Sequence, residues 1–202
     1  MKNHRLWGMR CYLSGAMDKA PDQGAEWRVW EGDILEKMGI VVLNPCDKPI
    51  DLEDGLDIEC LQYRTKLKED GDYKTIASEM KKVRIVDLRM VDMADFLIVN
   101  LDTSIPTCGT HEEISWANRM KNPVLIHCKQ GKSEIPDWMF GMIPDEHMFS
   151  TWDEINEYLR HVNEDEVVED MKRWIFFDYT KLVPKVSIDY IHASEEKTKA
   201  YA

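Results

Sequence analysis

"DFLIVNLDTSIPTCGTHEEISWA", residues 95–117, joins an apolar run to an amphipathic one through a polar turn. Residues 95–101 are branched, aromatic or apolar almost without interruption, the pattern of a strand buried on both faces. From Gly109 the period changes, and "GTHEEISWANRMK" reads as a helix. A buried strand leading by a short turn into a helix is the repeating unit of a parallel α/β sheet. Two adjacent glutamates, Glu112 and Glu113, open that helix. Two readings of Glu113 stand. In one, Thr110 caps the helix and Glu113, three residues on, reaches back to complete a capping box. In the other, Glu113 is a reactive carboxylate in the first helical turn at the carboxyl end of a strand, where open α/β sheets place their ligands.

The same unit recurs on either side. "RCYLSG" (10–15) is a short strand running into a glycine turn, with Cys11 and Leu13 on one face. "QGAEWRVWEGDILEKMG" (23–39) follows as a helix whose inner stripe is Trp27, Trp30, Ile34 and Met38, stopped by Gly39. "IVVLNP" (40–45) reads as a second buried strand ended by Asn44-Pro45. Residues 46–71 are polar, acidic and irregular, an insertion with one helical piece near 56–67. "ASEMKKVRIVDLRMVDMA" (77–94) is a helix with Met80, Val83, Met90 and Ala94 in register and Val86 or Asp87 between them. "NPVLIHC" (122–128) is a fourth strand and "HMF" (147–149) a last one. "TWDEINEYLRHV" (151–162) opens with Thr151 and Glu154 at capping-box spacing. This alternation predicts a parallel sheet with helices on both faces over residues 1–162. Residues 163–202 form a C-terminal extension, a helix followed by the aromatic "WIFFDY" and a polar end.

The composition narrows the function. A chain of 202 residues with 44% hydrophobic content supports one ordinary domain with a real core. A net charge of −12 argues against a nucleic-acid polymer as partner, because neutralising phosphates takes clustered Lys and Arg. A mononucleotide, which needs only a few donors, remains allowed. No run of about 18 apolar residues is present to span a bilayer, and the first residues lack the apolar core of a signal peptide. The five cysteines, Cys11, Cys46, Cys60, Cys108 and Cys128, are scattered with no CxxC spacing, so neither zinc nor disulfides are expected and a reducing cytoplasm is the simplest setting. GxGxxG, P-loop and GxSxG signatures are missing.

What remains is a set of polar residues at strand ends: Tyr12 and Ser14 after the first, Asn44 after the second, Asp102 and the glutamates after the third. Converging from separate strands, they line one crevice. Three motifs in this order, "YLSGAMD", "VDLRMVDMADFLIVNLD" and "GTHEEISWA", resemble the nucleoside 2-deoxyribosyltransferase family, which includes nucleotide N-glycosidases. The resemblance covers roughly residues 10 to 128. It implies a Rossmann-like (flavodoxin-like) α/β fold, a homo-oligomer, and a covalent mechanism without metal or cofactor at the N-glycosidic bond of a (deoxy)nucleoside or its 5′-monophosphate. It assigns Glu113 as nucleophile and Tyr12 as the group that holds it. Asp87 becomes a further site residue, with Asp95, eight positions on, as the second aspartate. Ser14, Gly15 and Ala16 become the turn around the sugar, with Gly109 in the motif of the nucleophile. One position departs from the pattern. Where transferases acting on free nucleosides often carry a base-directed aspartate, this chain has Thr107, closer to the serine that nucleotide-hydrolysing relatives use for a 5′-phosphate.

Bland roles are expected elsewhere. His111 reads as a surface histidine, His127 with Cys128 as packing, Lys19 and Arg28 as exposed charges, and Trp27, Trp30 and "WIFF" as core or subunit contacts. Two rival functions fit the same kind of fold: a non-catalytic nucleotide-binding or sequestering module, and an NAD glycohydrolase, whose chemistry also uses one glutamate.

Overall fold

β3 (Phe96–Leu101) is the centre of the sheet, and its residues are buried except Asn100, which is half-buried. The structure, a computed structural model, describes residues 4–48 and 58–164. β1 (Arg10–Gly15) pairs parallel to β3 from Cys11 opposite Phe96 to Gly15 opposite Asn100. β4 (Val124–Cys128) pairs on the other side from Leu97–Val124 to Leu101–Cys128. β2 (Val41–Leu43) lies outside β1, and β5 (Met148–Phe149) outside β4. The order β2-β1-β3-β4-β5, all parallel, is the flavodoxin-like doubly wound arrangement, and its strand order reverses between β1 and β3.

Among the described residues six α-helices accompany these strands: α1 (Ala25–Lys37), α2 (Ile58–Glu69), α3 (Tyr73–Met93), α4 (Cys108–Met120), α5 (Asp137–Phe140) and α6 (Trp152–Asn163). Strand alternation divides the side chains cleanly. Tyr12, Leu97, Val99, Leu101, Ile126 and Cys128 form one core with Met90, Val91 and Ala94 from the end of α3 and with Ile114 and Ala117 of α4. On the opposite face, α1 and α6 meet through a Trp27–Trp152 stack at 5.3 Å and an Asn156 Nδ2–Glu31 Oε2 hydrogen bond of 3.3 Å. The described residues fall within one compact unit, Met1–Glu166.

Three expectations need correction. β2 is an edge strand and not a buried one: Val41 is 49% exposed, because among the described residues no strand lies beyond it. α1 is rotated from its apolar stripe. Its buried line is Trp27, Arg28, Glu31, Gly32 and Leu35, while Trp30 is exposed and Ile34 and Met38 are half-buried. Arg28 and Glu31 enter the interior because they find hydrogen-bond partners there. α3 begins at Tyr73, earlier than its apolar pattern, because Asp72 caps it by accepting from the Thr75 N–H at 3.1 Å. Residues 49–57 of the acidic insertion and the expected aromatic extension from 165 onward lie outside the described residues.

The capping box expected at α6 is present. Thr151 Oγ1 accepts from the Glu154 N–H at 3.3 Å, and Glu154 Oε2 accepts from the Thr151 N–H at 3.1 Å. Thr151→Ala is therefore expected to lower stability by about 1 kcal/mol, read as a reduced urea midpoint at unchanged m-value.

Candidate active site

Tyr12 and Ser14 are two residues apart on β1, so both side chains leave the same face of the sheet, toward α4. Glu113 of α4 meets them. Tyr12 Oη donates to its Oε1 at 2.9 Å and Ser14 Oγ donates to its Oε2 at 2.5 Å. Each carboxylate oxygen thus has a hydroxyl donor, and the carboxylate is only 9% exposed. Burial dominates its ionisation and pushes it up to about 7; the Ser14 and Tyr12 hydrogen bonds pull it down, nearby Asp87 pushes it up again, and Arg28 lowers it. The same burial, with Glu113 and Asp87 alongside, holds the Tyr12 phenol well above its usual range, so it remains a neutral donor.

The helix start differs from the sequence reading. α4 begins at Cys108 with Thr107 as its N-cap, and the first turn closes through His111 N–H to Thr107 O at 3.4 Å. Thr110 is already helical and buried, so Thr110 and Glu113 form no capping box, and Glu113 lies in the second turn. Thr107 is as good a cap as Thr110 by residue type and precedes it in the chain. Glu113 is claimed by β1 in preference to a local backbone N–H.

Asp87 approaches from α3, and Lys48 is ion-paired to it. Burial raises the Asp87 carboxyl and Lys48 opposes the rise. Lys48 was not foreseen. Its signal was the "NPCDKP" turn at the carboxyl end of β2. There Asn44 Oδ1 accepts from the Cys46 N–H at 2.9 Å and Asn44 O from the Asp47 N–H at 3.0 Å, which directs the turn back over the sheet. Asn44 is thus a turn-former beside the site.

Arg28 was expected to be exposed and is 1% exposed. Its guanidinium donates to three main-chain carbonyls, Leu13 at 3.1 Å, Gly24 at 2.6 Å and Gly15 at 3.0 Å. β1 runs on beyond its last β2 pair, Tyr12–Leu43, and Arg28 supplies donors where the short neighbour has ended. Gly24 has φ +71° and a Cβ there would meet Ala16 O at 2.3 Å, so this turn requires glycine. At Gly15 a Cβ would crowd Asn100 O at 3.0 Å and the Trp27 ring at 3.1 Å.

The remaining expected site residues divide. Thr107 and Gly109 sit at the start of α4, and the Thr107 carbonyl lies 2.6 Å from His111 Nδ1. Asp102 closes the turn after β3. Burial alone would raise its carboxyl, but hydrogen bonds from Ser104, Gln130 and Lys129 hold it well below the usual carboxylate range. Asp95 is not at this end of the sheet. It precedes β3 and binds the Arg10 side chain at 2.9 and 3.0 Å, at the amino ends of β1 and β3. A strand separates it from the crevice, so its expected substrate contact is corrected to an ion pair. Glu112 turns the other way and pairs with Arg84 of α3. Among the described residues no group of His, Cys, Asp and Glu is placed to hold a metal ion, and no helix is long and apolar enough to cross a membrane.

No protein-family model matches the chain, and no curated protein matches it. Solved structures to which it is similar include a 2-deoxyribosyltransferase from Bacillus psychrosaccharolyticus, at 17% identity and TM-score 0.48, covering 82% of this chain and 96% of that one. A CMP N-glycosidase from Clostridium botulinum is similar at 16% identity and TM-score 0.44, covering 76% of this chain and 98% of its own. A 2-deoxyribosyltransferase from Leishmania mexicana is similar at 15% identity and TM-score 0.44, with the same coverages.

A carboxyl raised to about 7 in the fold, against about 4.5 in the unfolded chain, holds its proton more tightly when folded. The native state then binds more protons between these values, and its stability falls as pH rises through that window. Glu113→Gln, a neutral isostere, is expected to match the parent in thermal unfolding near pH 5 and to exceed it at pH 8.

Proposed function

We propose that the chain cleaves or exchanges the N-glycosidic bond of a (deoxy)nucleoside or nucleoside 5′-monophosphate, with Glu113 as nucleophile. The observation that carries this reading is a buried carboxylate with both oxygens held by hydroxyls from one strand. Tyr12 and Ser14 fix its orientation, and such fixed, water-excluded geometry is what a nucleophile needs. The three sequence motifs resembling the deoxyribosyltransferase family meet at this point of the fold, which adds support of a separate kind.

In this mechanism one Glu113 oxygen attacks the anomeric carbon from the face opposite the base. The C–N bond breaks and its electron pair leaves with the base, which takes up a proton. Asp87, whose carboxyl is raised by burial, donates that proton to the base and is left ionised beside Lys48. Tyr12 and Ser14 hold the carboxylate during approach and stabilise it again on release. Water, or a second base, then attacks the anomeric carbon and gives up a proton to the Asp87 carboxylate, and the sugar–Glu113 ester bond breaks to free the nucleophile, giving hydrolysis or transfer. Thr107, with a hydroxyl where an aspartate would oppose a phosphate, favours a 5′-monophosphate over a free nucleoside. The reading takes the active form to be a homo-oligomer in the cytoplasm.

Two measurements test the proposal. Glu113→Ala is expected to lose nearly all turnover on a panel of nucleosides, their 5′-monophosphates and NAD, while Glu112→Ala keeps it. A slow 2-fluoro substrate should leave its sugar on Glu113, detected by peptide mass spectrometry. Full activity in Glu113→Ala would remove the mechanism, binding of nucleotides without turnover by the parent would favour a sequestering module, and cleavage of NAD alone would favour a glycohydrolase. The second measurement is the pH profile. Below about 7 the nucleophile is protonated, so kcat/KM should fall about tenfold per pH unit on the acid side. A flat profile between pH 5 and 8 would contradict a nucleophile in this environment.

A further inference from the structure

Strand alternation gives this end of the sheet a second face. Ser14 points toward α4, whereas Gly15, Asn100 and His127 belong to the α1 and α6 side. A cavity of about 480 Å³ opens there, at the carboxyl ends of β1, β3 and β4, and Tyr12, Ser14, Asp87 and Glu113 are absent from its lining. Its wall is aromatic and prebuilt. The His127 ring stacks on Trp152 at 4.3 Å, Trp152 on Trp27 at 5.3 Å, and Trp30 stands edge-on to Trp152 at 5.0 Å. Trp30, the most exposed of these rings, leaves part of its surface to a ligand.

The charged groups lining the cavity are mostly acidic. His127 Nδ1 lies 2.9 Å from Asn100 Oδ1. With the amide oxygen as acceptor, Nδ1 carries the proton and Nε2 presents a bare lone pair. That nitrogen has no hydrogen bond among the described residues, although the residue is only 7% exposed. Burial also holds the imidazole below its usual range, which keeps it neutral. Glu26 also lines this space and has no ion-pair partner among the described residues. Asp22 and Asp102 add negative charge at the rim against one cation, Lys129, whose Nζ lies 3.1 Å from Asp102.

We propose that this cavity is a second binding site, distinct from the Glu113 crevice, for a flat amino-substituted heteroaromatic ring without phosphate, a free nucleobase in chemical class. The aromatic wall takes the ring face. His127 Nε2 and Glu26 take ring N–H and exocyclic amino hydrogens, and the acidic rim repels a phosphate. The site stands on its own geometry and does not depend on the reaction assigned to Glu113.

The test titrates the full chain with adenine and, separately, adenosine 5′-monophosphate, following heat and the His127 imidazole proton signals by NMR. Adenine should bind saturably and move the His127 signals, with the monophosphate at least about tenfold weaker in moving them. Trp30→Ala should weaken adenine about tenfold, and Glu26→Lys, also at an exposed position, should shift preference toward the monophosphate. Glu113→Gln should leave the His127 response unchanged. Unmoved His127 signals at millimolar adenine would overturn the site. So would an unaltered response in folded Trp30→Ala, or loss of the response in Glu113→Gln, which would put the base in the other crevice.

Discussion

Taking the Glu113 carboxylate out of water is the constraint on which the rest of the site depends. An ionised carboxylate in an apolar interior is costly unless its oxygens are hydrogen-bonded. Here both oxygens are, by two hydroxyls that β1 presents at a spacing of two. The requirement reaches into the sheet. If β1 slipped one residue against β3, Cys11 and Leu13 would replace Tyr12 and Ser14 on the α4 face, and the carboxylate would lose both donors. The β1–β3 register, set first by apolar burial, is therefore also the register that satisfies the charge.

A second layer of the same logic lies behind β1. Arg28 is a buried cation bonded to three carbonyls and to no carboxylate among the described residues. Its hydrogen bonds close the β1–α1 turn while its charge favours the ionised form of Glu113. Lys48 does the equivalent for Asp87 from the β2 side. Two acidic groups and two basic groups thus share the carboxyl end of the sheet around β1. The glycines explain how the chain comes close enough. Gly24 permits the left-handed turn that lets Arg28 reach back, and Gly15 leaves room for the Trp27 ring.

The legibility of the sequence follows from which interactions are local. β3 and β4 were readable because burial on both faces leaves a largely apolar run, β1 because a short strand runs into a glycine turn, and the Thr151–Glu154 box because both partners lie within one turn. The face of α1 was not readable. Hydrophobicity marked Trp27, Trp30, Ile34 and Met38, whereas the buried line contains Arg28 and Glu31, whose partners come from β1 and α6. The start of α4 was misplaced because two threonines, Thr107 and Thr110, qualify as caps and only the tertiary claim on Glu113 separates them. Tyr12, Ser14 and Glu113 were legible as strand-end and helix-start residues by motif. Asp95 was misassigned because spacing along a chain does not tell one end of a strand from the other. Lys48 went unread in a segment without periodicity.

Two buried carboxyls among the described residues, Glu31 and Glu113, lie in contrasting surroundings. Glu31, on the opposite face, is raised to about 7 just as Glu113 is, so the ionisation alone separates nothing. Their surroundings do. Glu31 Oε2 has a single amide donor, Asn156 at 3.3 Å, and its Oε1 has no partner among the described residues. Nothing nearby is arranged to receive a negative charge, and in the neutral state the acid serves as a polar link between α1 and α6. Around Glu113 the donors are short, come from one rigid strand and address both oxygens, while Arg28 adds a favourable field. Such an arrangement does little for a protonated acid, which can use only part of it, and serves the anion. The fold bears the cost of desolvating Glu113 and then builds hydrogen bonds that favour its ionised form. A capping or packing role asks for neither.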